Sequence, residues 1–398
     1  MRAPICHLTV AVTALALLGA ARPAWPEPRV PASDAVVLER LAMRPADPRQ
    51  RELRELRAAL AGNPGDVERA IALARAHFDL AQAEGDPRHI GYAEAALRDF
   101  PPSAGASAEL LVVRAQLAQY AHGFAPALEL LGRALALEPE DPEALAWSAA
   151  VRMVQADYAG ARRDCERLAR VASELLSAGC LAYAAAATGK LRTAYVQLRG
   201  VLARYPGARP TLKLWVNTRL AEMAQRLDDP RAAEMHYRAA LALGELDQYL
   251  LAAYAEFLLD ERRPAEAAAL LRGWERSDTL LLQIARAAKA LGSADTPRLA
   301  RILQARYTEA ARRGVRLHAQ DEARFRLEFH GDAAGALEIA TQNWAEQREA
   351  ADARIVLEAA LAARAPRAAA PVLDWLASSG FEDVRLARLA ADLRALRQ

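Results

Sequence analysis

The chain has 398 residues, with 52 basic against 50 acidic side chains and 53% hydrophobic residues. This length suits two ordinary domains or one extended array of repeats, and the near balance of charge argues against a general nucleic-acid or membrane-surface binder. Alanine, leucine, arginine and glutamate are abundant, whereas valine, isoleucine and threonine are scarce. This composition favours helices over sheets and predicts an all-α fold.

The first 21 residues have the pattern of a secretory signal peptide. Arg2 supplies a positive charge, and residues 8–18 form a short apolar core. The small residues 19–21 offer a cleavage site, and residues 22–24 are a second possible site. Cys6 precedes the apolar core, so it cannot be a lipoprotein acceptor. The alternative is an uncleaved anchor, although the core is shorter than the roughly 20 residues that span a bilayer. The pattern predicts export to the periplasm of a Gram-negative envelope or secretion, with no membrane span after cleavage.

Residues 22–65 are predicted to form a proline-rich leader and an N-terminal helix. The segment Asn63-Pro64-Gly65-Asp66 is typical of a turn, and its last residue is a good N-cap. A helix is therefore expected to begin at Val67.

Pairs of packing positions twelve residues apart recur beyond this turn. The pairs are Ala115/Ala127, Ala149/Ala161, Ala182/Ala194, Ala221/Ala233, Ala255/Ala267, Ala288/Ala300, Arg324/Ala336 and Leu357/Ala369. Successive first members are 34, 33, 39, 34, 33, 36 and 33 residues apart. A small residue at both positions lets two antiparallel helices approach to about 8–10 Å. One hairpin cannot bury its own apolar stripe, so the series predicts a stack of hairpins.

The segment 181–206 is the best-formed member of this series. Its characteristic residues are Leu181, Ala182, Gly189, Leu191, Ala194, Leu198, Val201 and Pro206. This pattern resembles the tetratricopeptide repeat (TPR) family, whose unit is a helix–turn–helix of about 34 residues. The family's tryptophan in the first helix is absent, and the outer repeats are degenerate. The resemblance covers residues 66–378 and implies an α-solenoid of about nine repeats.

Two repeats depart from the regular spacing. Ala74 and Ala93 are nineteen residues apart, which predicts seven extra residues in the first inter-helix turn near Gly85. The 39-residue step after Ala182 predicts either a lengthened helix or a change of superhelical pitch near residues 207–210. Beyond the repeats, residues 379–398 carry helically spaced leucines and are predicted to form a C-terminal capping helix, which covers the last apolar face of a stack.

No motif for catalysis, a cofactor or a metal stands out. The sequence contains no His-Glu-x-x-His, Cys-x-x-Cys, Gly-x-Ser-x-Gly or phosphate-loop pattern. The densest group of potential metal ligands is His318, Asp321, Glu322, Glu328 and His330, which solvation of a helix surface explains better. We therefore expect no enzyme activity, cofactor or metal site.

Cys165 and Cys180 are the two cysteines that remain after removal of the signal peptide. An even number of cysteines in an oxidising compartment permits a disulfide. The resemblance places the first on the second helix of one repeat and the other on the first helix of the next. They form either a bridge between these repeats or two separate buried thiols.

The resemblance also indicates which side chains face the inner groove of the solenoid. These positions are Gln116, Gln119, Tyr120, Met153, Tyr183, Trp215, Arg226, Tyr249 and Glu256. Aromatic residues flanked by polar groups are typical of peptide-binding hot spots. The alternative is that they fill the groove and contact only each other. Tyr158, Tyr237 and Trp274 are expected in the core between helices.

The favoured function is an exported scaffold or adaptor that binds a protein or peptide partner through its concave groove. The alternative is a helical-superhelix hydrolase acting on cell-wall material, which would need a general acid of raised pKa in a cleft. A third hypothesis is self-association through the degenerate end repeats.

Overall fold

The computed structural model describes residues 48–103, 105–313 and 319–396. The predicted signal peptide, residues 22–47 of the predicted leader, and His318 lie outside the described residues. Residue contacts divide the chain into two units, Met1–Arg51 and Glu52–Gln398, and the helical repeats belong to the second. No helix among the described residues combines the length and apolarity needed to cross a bilayer.

Twenty α-helices and one π-helical turn, without any β-strand, make up the secondary structure of the described residues. The helices are α1 Pro48–Gly62, α2 Val67–Glu84, α3 Arg88–Ala96, α4 Ala108–Tyr120, α5 Phe124–Leu137, α6 Pro142–Val154, α7 Tyr158–Leu168, α8 Glu174–Ala186, α9 Leu191–Arg204, α10 Pro210–Arg226, α11 Pro230–Leu241, α12 Gln248–Asp260, α13 Pro264–Leu270, α14 Asp278–Ala290, α15 Thr296–Arg312, α16 Ala319–Phe325, α17 Ala333–Glu346, α18 Ala350–Ala362, α19 Ala370–Ser379 and α20 Val384–Ala395. The π-helical turn Arg326–His330 continues α16.

Within the described residues, consecutive helices from α2 to α19 pair into nine antiparallel hairpins that stack on one another. This stack of helical hairpins confirms the predicted all-α solenoid. The predicted N-cap is also confirmed, because the Asp66 carboxylate accepts the Arg69 backbone N–H at 3.1 Å. Such caps satisfy backbone donors that a helix leaves unpaired at its start.

The alanines of the twelve-residue series lie between the helices of each hairpin. Ala127, Ala161, Ala233, Ala267 and Ala336 are completely buried there. Their burial explains why the interval recurs, since a larger side chain would push the two helices apart.

A left-handed residue lies five positions before the second alanine of most hairpins. These residues are His122, Ala156, Gly189, Asp228, Arg262, Gly331 and Arg364. Glycine adopts this conformation freely, whereas other residues do so at a cost of about 1–2 kcal/mol. The turn geometry is therefore shared by the repeats although its glycine is not.

The α14–α15 hairpin corrects the predicted register. Ala288 and Ala300 are only half-buried, whereas Ala285 is completely buried and lies seven residues before the left-handed Gly292. Leu299 supplies the buried contact on α15. The turn is longer in this hairpin, so the twelve-residue interval between two alanines was a coincidence here.

The two irregular spacings have simple structural causes. Gly85 ends α2 eleven residues after Ala74, against seven from Ala182 to Gly189. Four of the seven extra residues thus lengthen α2 by a turn, and only the remainder enlarge the loop. The longer step later in the chain is a lengthened helix, since α10 has 17 residues whereas α8 has 13.

The first hairpin meets the sixth and seventh. A Cβ atom on Gly85 would overlap the side-chain oxygen of Gln248 and lie 2.9 Å from the Cβ of Ser277. Gly85 therefore permits a close approach between the end of α2 and the starts of α12 and α14. The inner faces of the first helices of the hairpins consequently surround a central space.

The last hairpins and α20 form a separate apolar core. Buried side chains from α16 to α20, among them Ile355, Trp375 and Leu393, pack together, apart from the core of α8–α14. We call residues 319–395 the C-terminal module. α20 covers α18, and its N-terminal end also reaches back to the inner face of the middle repeats, which the sequence did not predict.

Candidate functional site

The central space is a cavity of about 420 Å³. It is lined mainly by the first helix of successive hairpins, because one face of each of these helices points inwards. We call it the central cavity; its lining includes Tyr120, Met153, Tyr158, Tyr183, Arg219, Glu222, Arg226, Tyr249, Glu256, Glu349 and Phe381.

Arg219 of α10 lies at the centre of one wall. Its guanidinium carbon is 5.0 Å from the ring centre of Tyr183 and 4.7 Å from that of Tyr249. Its Nη1 is 2.9 Å from Oε2 of Glu222. The other carboxylate oxygen of Glu222 accepts a hydrogen bond from the Tyr249 hydroxyl at 2.5 Å. The result is a guanidinium held between two aromatic rings and one carboxylate, an arrangement favourable to cation–π attraction.

The electrostatics of Arg219 keep it charged. Burial alone would lower its pKa, but Glu222 and the neighbouring tyrosines raise the pKa well above its ordinary value. The residue is only 9% exposed, and its Nε has no hydrogen-bond partner among the described residues. A buried donor without a partner costs free energy, so the guanidinium of Arg219 is not fully satisfied by the described residues.

Glu349 faces the same cavity from the start of α18. Burial raises its pKa, against the opposing influence of Arg219 and a hydrogen bond from Gln347 at 3.0 Å. The neighbouring Asp352 is fully buried, and burial together with Glu349 raises the pKa of this carboxyl well above its ordinary value. Asn343 donates a hydrogen bond to it at 2.8 Å. Glu349 is thus a carboxyl group in the cavity lining that is reluctant to ionise, and Asp352 lies behind it.

An arginine–carboxylate network contributes Glu256 and Arg354 to the cavity lining. Arg354 on α18 pairs with both oxygens of Asp260 at 2.7 and 2.8 Å and with Glu358 at 2.7 Å. Burial alone would raise the pKa of Glu256, but Arg354, Arg324 and Arg286 outweigh it and lower the pKa to about 2. These contacts tie α12 to α14, α16 and α18.

Arg226 lies where the C-terminal module meets α10. Its Nε donates to the Glu382 carbonyl at 2.9 Å, and its guanidinium lies 3.8 Å from the Phe381 ring centre. Another nitrogen donates to the Ala186 carbonyl. Arg226 is therefore 6% exposed and engaged within the chain, rather than free in an open groove as the sequence suggested.

Six of the nine predicted groove residues line the central cavity, namely Tyr120, Met153, Tyr183, Arg226, Tyr249 and Glu256. Three others do not. Gln116 is buried between α4 and α6, where it donates to Glu143 at 2.7 Å. The Trp215 ring packs against Gly179 of α8, and Gln119 is half-buried outside the cavity.

Sequence reasoning missed Arg219 and Glu222, although a signal for both was present. They lie between Trp215 and Arg226 at intervals of four, three and four residues, which is the spacing of one helix face. Tyr158 packs against two apolar clusters, in line with the core position predicted for it. It also lines the cavity, and it accepts a hydrogen bond from Trp375 at 3.0 Å. Burial raises the pKa of Tyr158 to about 12.

The structure joins Cys165 and Cys180 in a disulfide, with their Cα atoms 5.5 Å apart. The bridge links α7 to α8, which belong to successive hairpins. It thereby fastens the third repeat to the fourth behind the wall that carries Tyr183.

No protein-family model and no curated protein matches this chain. Among solved structures, it is similar to the APC/C hetero-tetramer Cut9–Hcn1, with 13% identity, a TM-score of 0.40 and coverage of 86% of this chain and 52% of that chain. The P58(IPK) TPR domain has 16% identity and a TM-score of 0.25, with 73% and 88% of the two chains covered. Naa15/Naa10 bound to HypK-THB has 18% identity and a TM-score of 0.28, with 87% and 56% covered. This chain thus spans about half the length of the first of these structures.

Proposed function

We propose that this protein is an exported scaffold or adaptor that captures a segment of a partner protein in its central cavity. The observation that carries the proposal is the position of the Arg219 guanidinium between the rings of Tyr183 and Tyr249. The Nε–H of this guanidinium is buried and has no hydrogen-bond partner among the described residues. Tyrosine and arginine are enriched at binding hot spots, since they offer large contact areas with a polar group attached.

The cavity chemistry favours a polypeptide segment with mixed polarity. The unpartnered Arg219 N–H suits a carbonyl or carboxylate oxygen, whereas Glu222 and Glu349 suit donors. The tyrosine rings suit an apolar or aromatic side chain. A volume of about 420 Å³ lies within the usual range of ligand pockets, about 300–1,000 Å³, and accommodates a short segment rather than a folded domain.

A capture experiment tests this function. The full-length chain is used as bait in cell-envelope extracts, alongside Tyr249→Ala, whose side chain is 49% exposed and reaches the cavity. Met235→Ala is the matched control, because Met235 is 52% exposed on α11 and does not line the cavity. We expect partners retained by the native chain and the control to be lost with Tyr249→Ala. Partners that bind all three proteins equally would contradict the proposal.

Export is the second part of the proposal. The charged n-region, short apolar core and small residues within residues 1–21 support it. Mass spectrometry of the mature protein from fractionated cells should show an N-terminus after residue 21 or 24, in the periplasm or medium. An intact N-terminus in the cytoplasmic fraction would contradict export.

A hydrolase remains the second candidate, favoured by one observation. Burial raises the pKa of Glu349 in a cavity that also contains Glu222, and a general acid needs a raised pKa. Glu349→Gln compared with the native protein on purified cell-wall material is the test. Release of fragments by the native protein alone would support the hydrolase, and no release by either protein would refute the hydrolase and leave the scaffold as the proposed function.

Self-association through the degenerate end repeats is tested by analytical sedimentation of the purified chain.

A further inference from the structure

A second cavity of about 440 Å³ lies beside the central one. It is lined by the start of α9, the end of α10, part of α19, one face of α20 and the residues that join α19 to α20. Three residues line both cavities: Arg226, Phe381 and Asp383. Residues 380–383, which we call the partition loop, therefore separate two spaces that would otherwise be continuous.

The partition loop is held by contacts of the kind that proteins use to bind peptides. The backbone N–H of Leu191, the first residue of α9, donates to the Glu382 carboxylate at 2.8 Å. Arg226 donates to the Glu382 carbonyl and lies against the Phe381 ring. A carboxylate at a helix start gains from the helix dipole, and a guanidinium over an aromatic ring gains from cation–π attraction.

The rest of this junction combines ion pairs with apolar contacts. Arg385 pairs with Asp260 at 3.3 Å and Arg388 with Asp228 at 2.7 Å, the latter between largely exposed side chains. On α20, Leu386 and Leu393 are buried in the core of the C-terminal module, whereas Val384 and Ala387 line the second cavity. Exposed ion pairs contribute little stability, and the adjoining cavity removes packing contacts. Phe381 is the apolar anchor of the loop, because its ring lies 4.7 Å from that of Trp375 and packs against two apolar clusters. A segment that displaces the loop must therefore supply an aromatic ring in its place.

We infer that the partition loop occupies, within the same chain, a binding site for a polypeptide segment that carries an aromatic residue followed by an acidic residue. Such a segment reproduces the contacts of Phe381 and Glu382 with Arg226 and Leu191. When it displaces the loop, the two cavities join into one groove, which gives the partner additional contact area. This inference rests on the proposed function and specifies the chemistry of the partner.

Peptide binding tests the inference. The probe is a fluorescein-labelled peptide with the sequence of residues 379–388, measured by fluorescence anisotropy against the full-length chain. The double variant Phe381→Ala/Glu382→Gln empties the site, so it should bind the probe at least about tenfold more tightly than the native chain, which already contains the competing segment. A control peptide with the same two substitutions should not bind. Equal binding of the probe by both proteins, or binding by neither, would overturn the inference.

Hydrogen exchange gives a second measurement that does not depend on the double variant folding well. In the single variant Glu382→Gln, the Leu191 amide loses its charged acceptor and should exchange about tenfold faster, whereas the Ala194 amide, bonded to the Lys190 carbonyl, should be unchanged. Unchanged exchange at both amides would show that the loop does not open locally, and would contradict the inference. The capture experiment with Tyr249→Ala leaves the loop intact, so its success alongside failed probe binding would refute the loop's role alone.

Discussion

Arg354 offers the sharpest test of how the C-terminal module is held. Its guanidinium makes a bidentate pair with Asp260 at 2.7 and 2.8 Å and contacts Glu358 at 2.7 Å and Glu256 at 3.4 Å. Substitution by methionine keeps the aliphatic length but removes the charge. Removing one partner of a buried ion pair usually costs about 3–5 kcal/mol, because the other charge stays buried. Arg354 retains some exposure and Asp260 keeps Arg385, so we expect about 3 kcal/mol.

The pH dependence separates this electrostatic cost from a simple loss of packing. The pKa of Glu256 is about 2 in the folded chain against an ordinary 4.5, so its stabilising contribution is present above pH 4.5 and is lost as the pH falls towards 2. Without the positive charge of Arg354, the remaining arginines offset the effect of burial on Glu256 less fully, so the pKa of Glu256 rises. The cost of Arg354→Met should therefore be largest near pH 7 and shrink as the pH is lowered to about 4.

Urea denaturation followed by circular dichroism measures both quantities. Arg162→Met is the matched control, because Arg162 pairs with Glu166 at 2.8 Å on an exposed face of α7. Such pairs contribute about 0.3–0.5 kcal/mol. If Arg354→Met costs no more than Arg162→Met, or if its cost does not depend on pH, the assignment of a buried stabilising network is wrong.

Three further predictions concern stability and use the same assay. Burial and Arg199 lower the pKa of His236 to about 4, below its ordinary 6.5, so the stability that its neutral form contributes is complete above pH 6.5 and falls as the pH drops. His236→Gln should therefore remove about 2 kcal/mol of the stability loss between pH 7 and pH 4.5, and an unchanged pH profile would contradict this. Ala194→Leu should lower the free energy of unfolding by about 1–3 kcal/mol, because the larger side chain forces α8 and α9 apart. Its control, Gly200→Ala on the open face of α9, should raise the free energy of unfolding by up to about 1 kcal/mol, and equal effects of the two variants would refute the packing argument. Replacing both Cys165 and Cys180 by alanine should cost about 3 kcal/mol, and the loss should match that caused by reductant in the native chain.

The repeat architecture could be predicted from sequence because its cause is local. Ala182 and Ala194 must both be small for one hairpin to form, and the same requirement recurs in each repeat. Where the inter-helix turn is longer, as before Leu299, the twelve-residue interval between alanines predicted the wrong pair of contacting residues, although it predicted the hairpin itself correctly. Chance alanines are common in such a composition, and only burial distinguishes Ala285 from Ala288.

The candidate site was only partly predictable, for reasons of distance along the chain. Tyr183 and Tyr249 could be placed in the groove from the helix register alone. Their partner Glu349 and the partition loop come from the C-terminal module, about 100 residues or more later in the sequence. Nothing in local periodicity indicates that the module reaches back to Arg226, because superhelical closure depends on the sum of small rotations between many repeats.

Site-specific photo-crosslinking tests the central claim, which is that a partner segment enters the central cavity. A photoreactive phenylalanine analogue replaces Tyr249 in the cavity or Met235 on α11, in the full-length chain expressed in cells. We expect a discrete crosslinked product of the same mass in repeated experiments at position 249, and none at position 235. Products at 235 alone would contradict it.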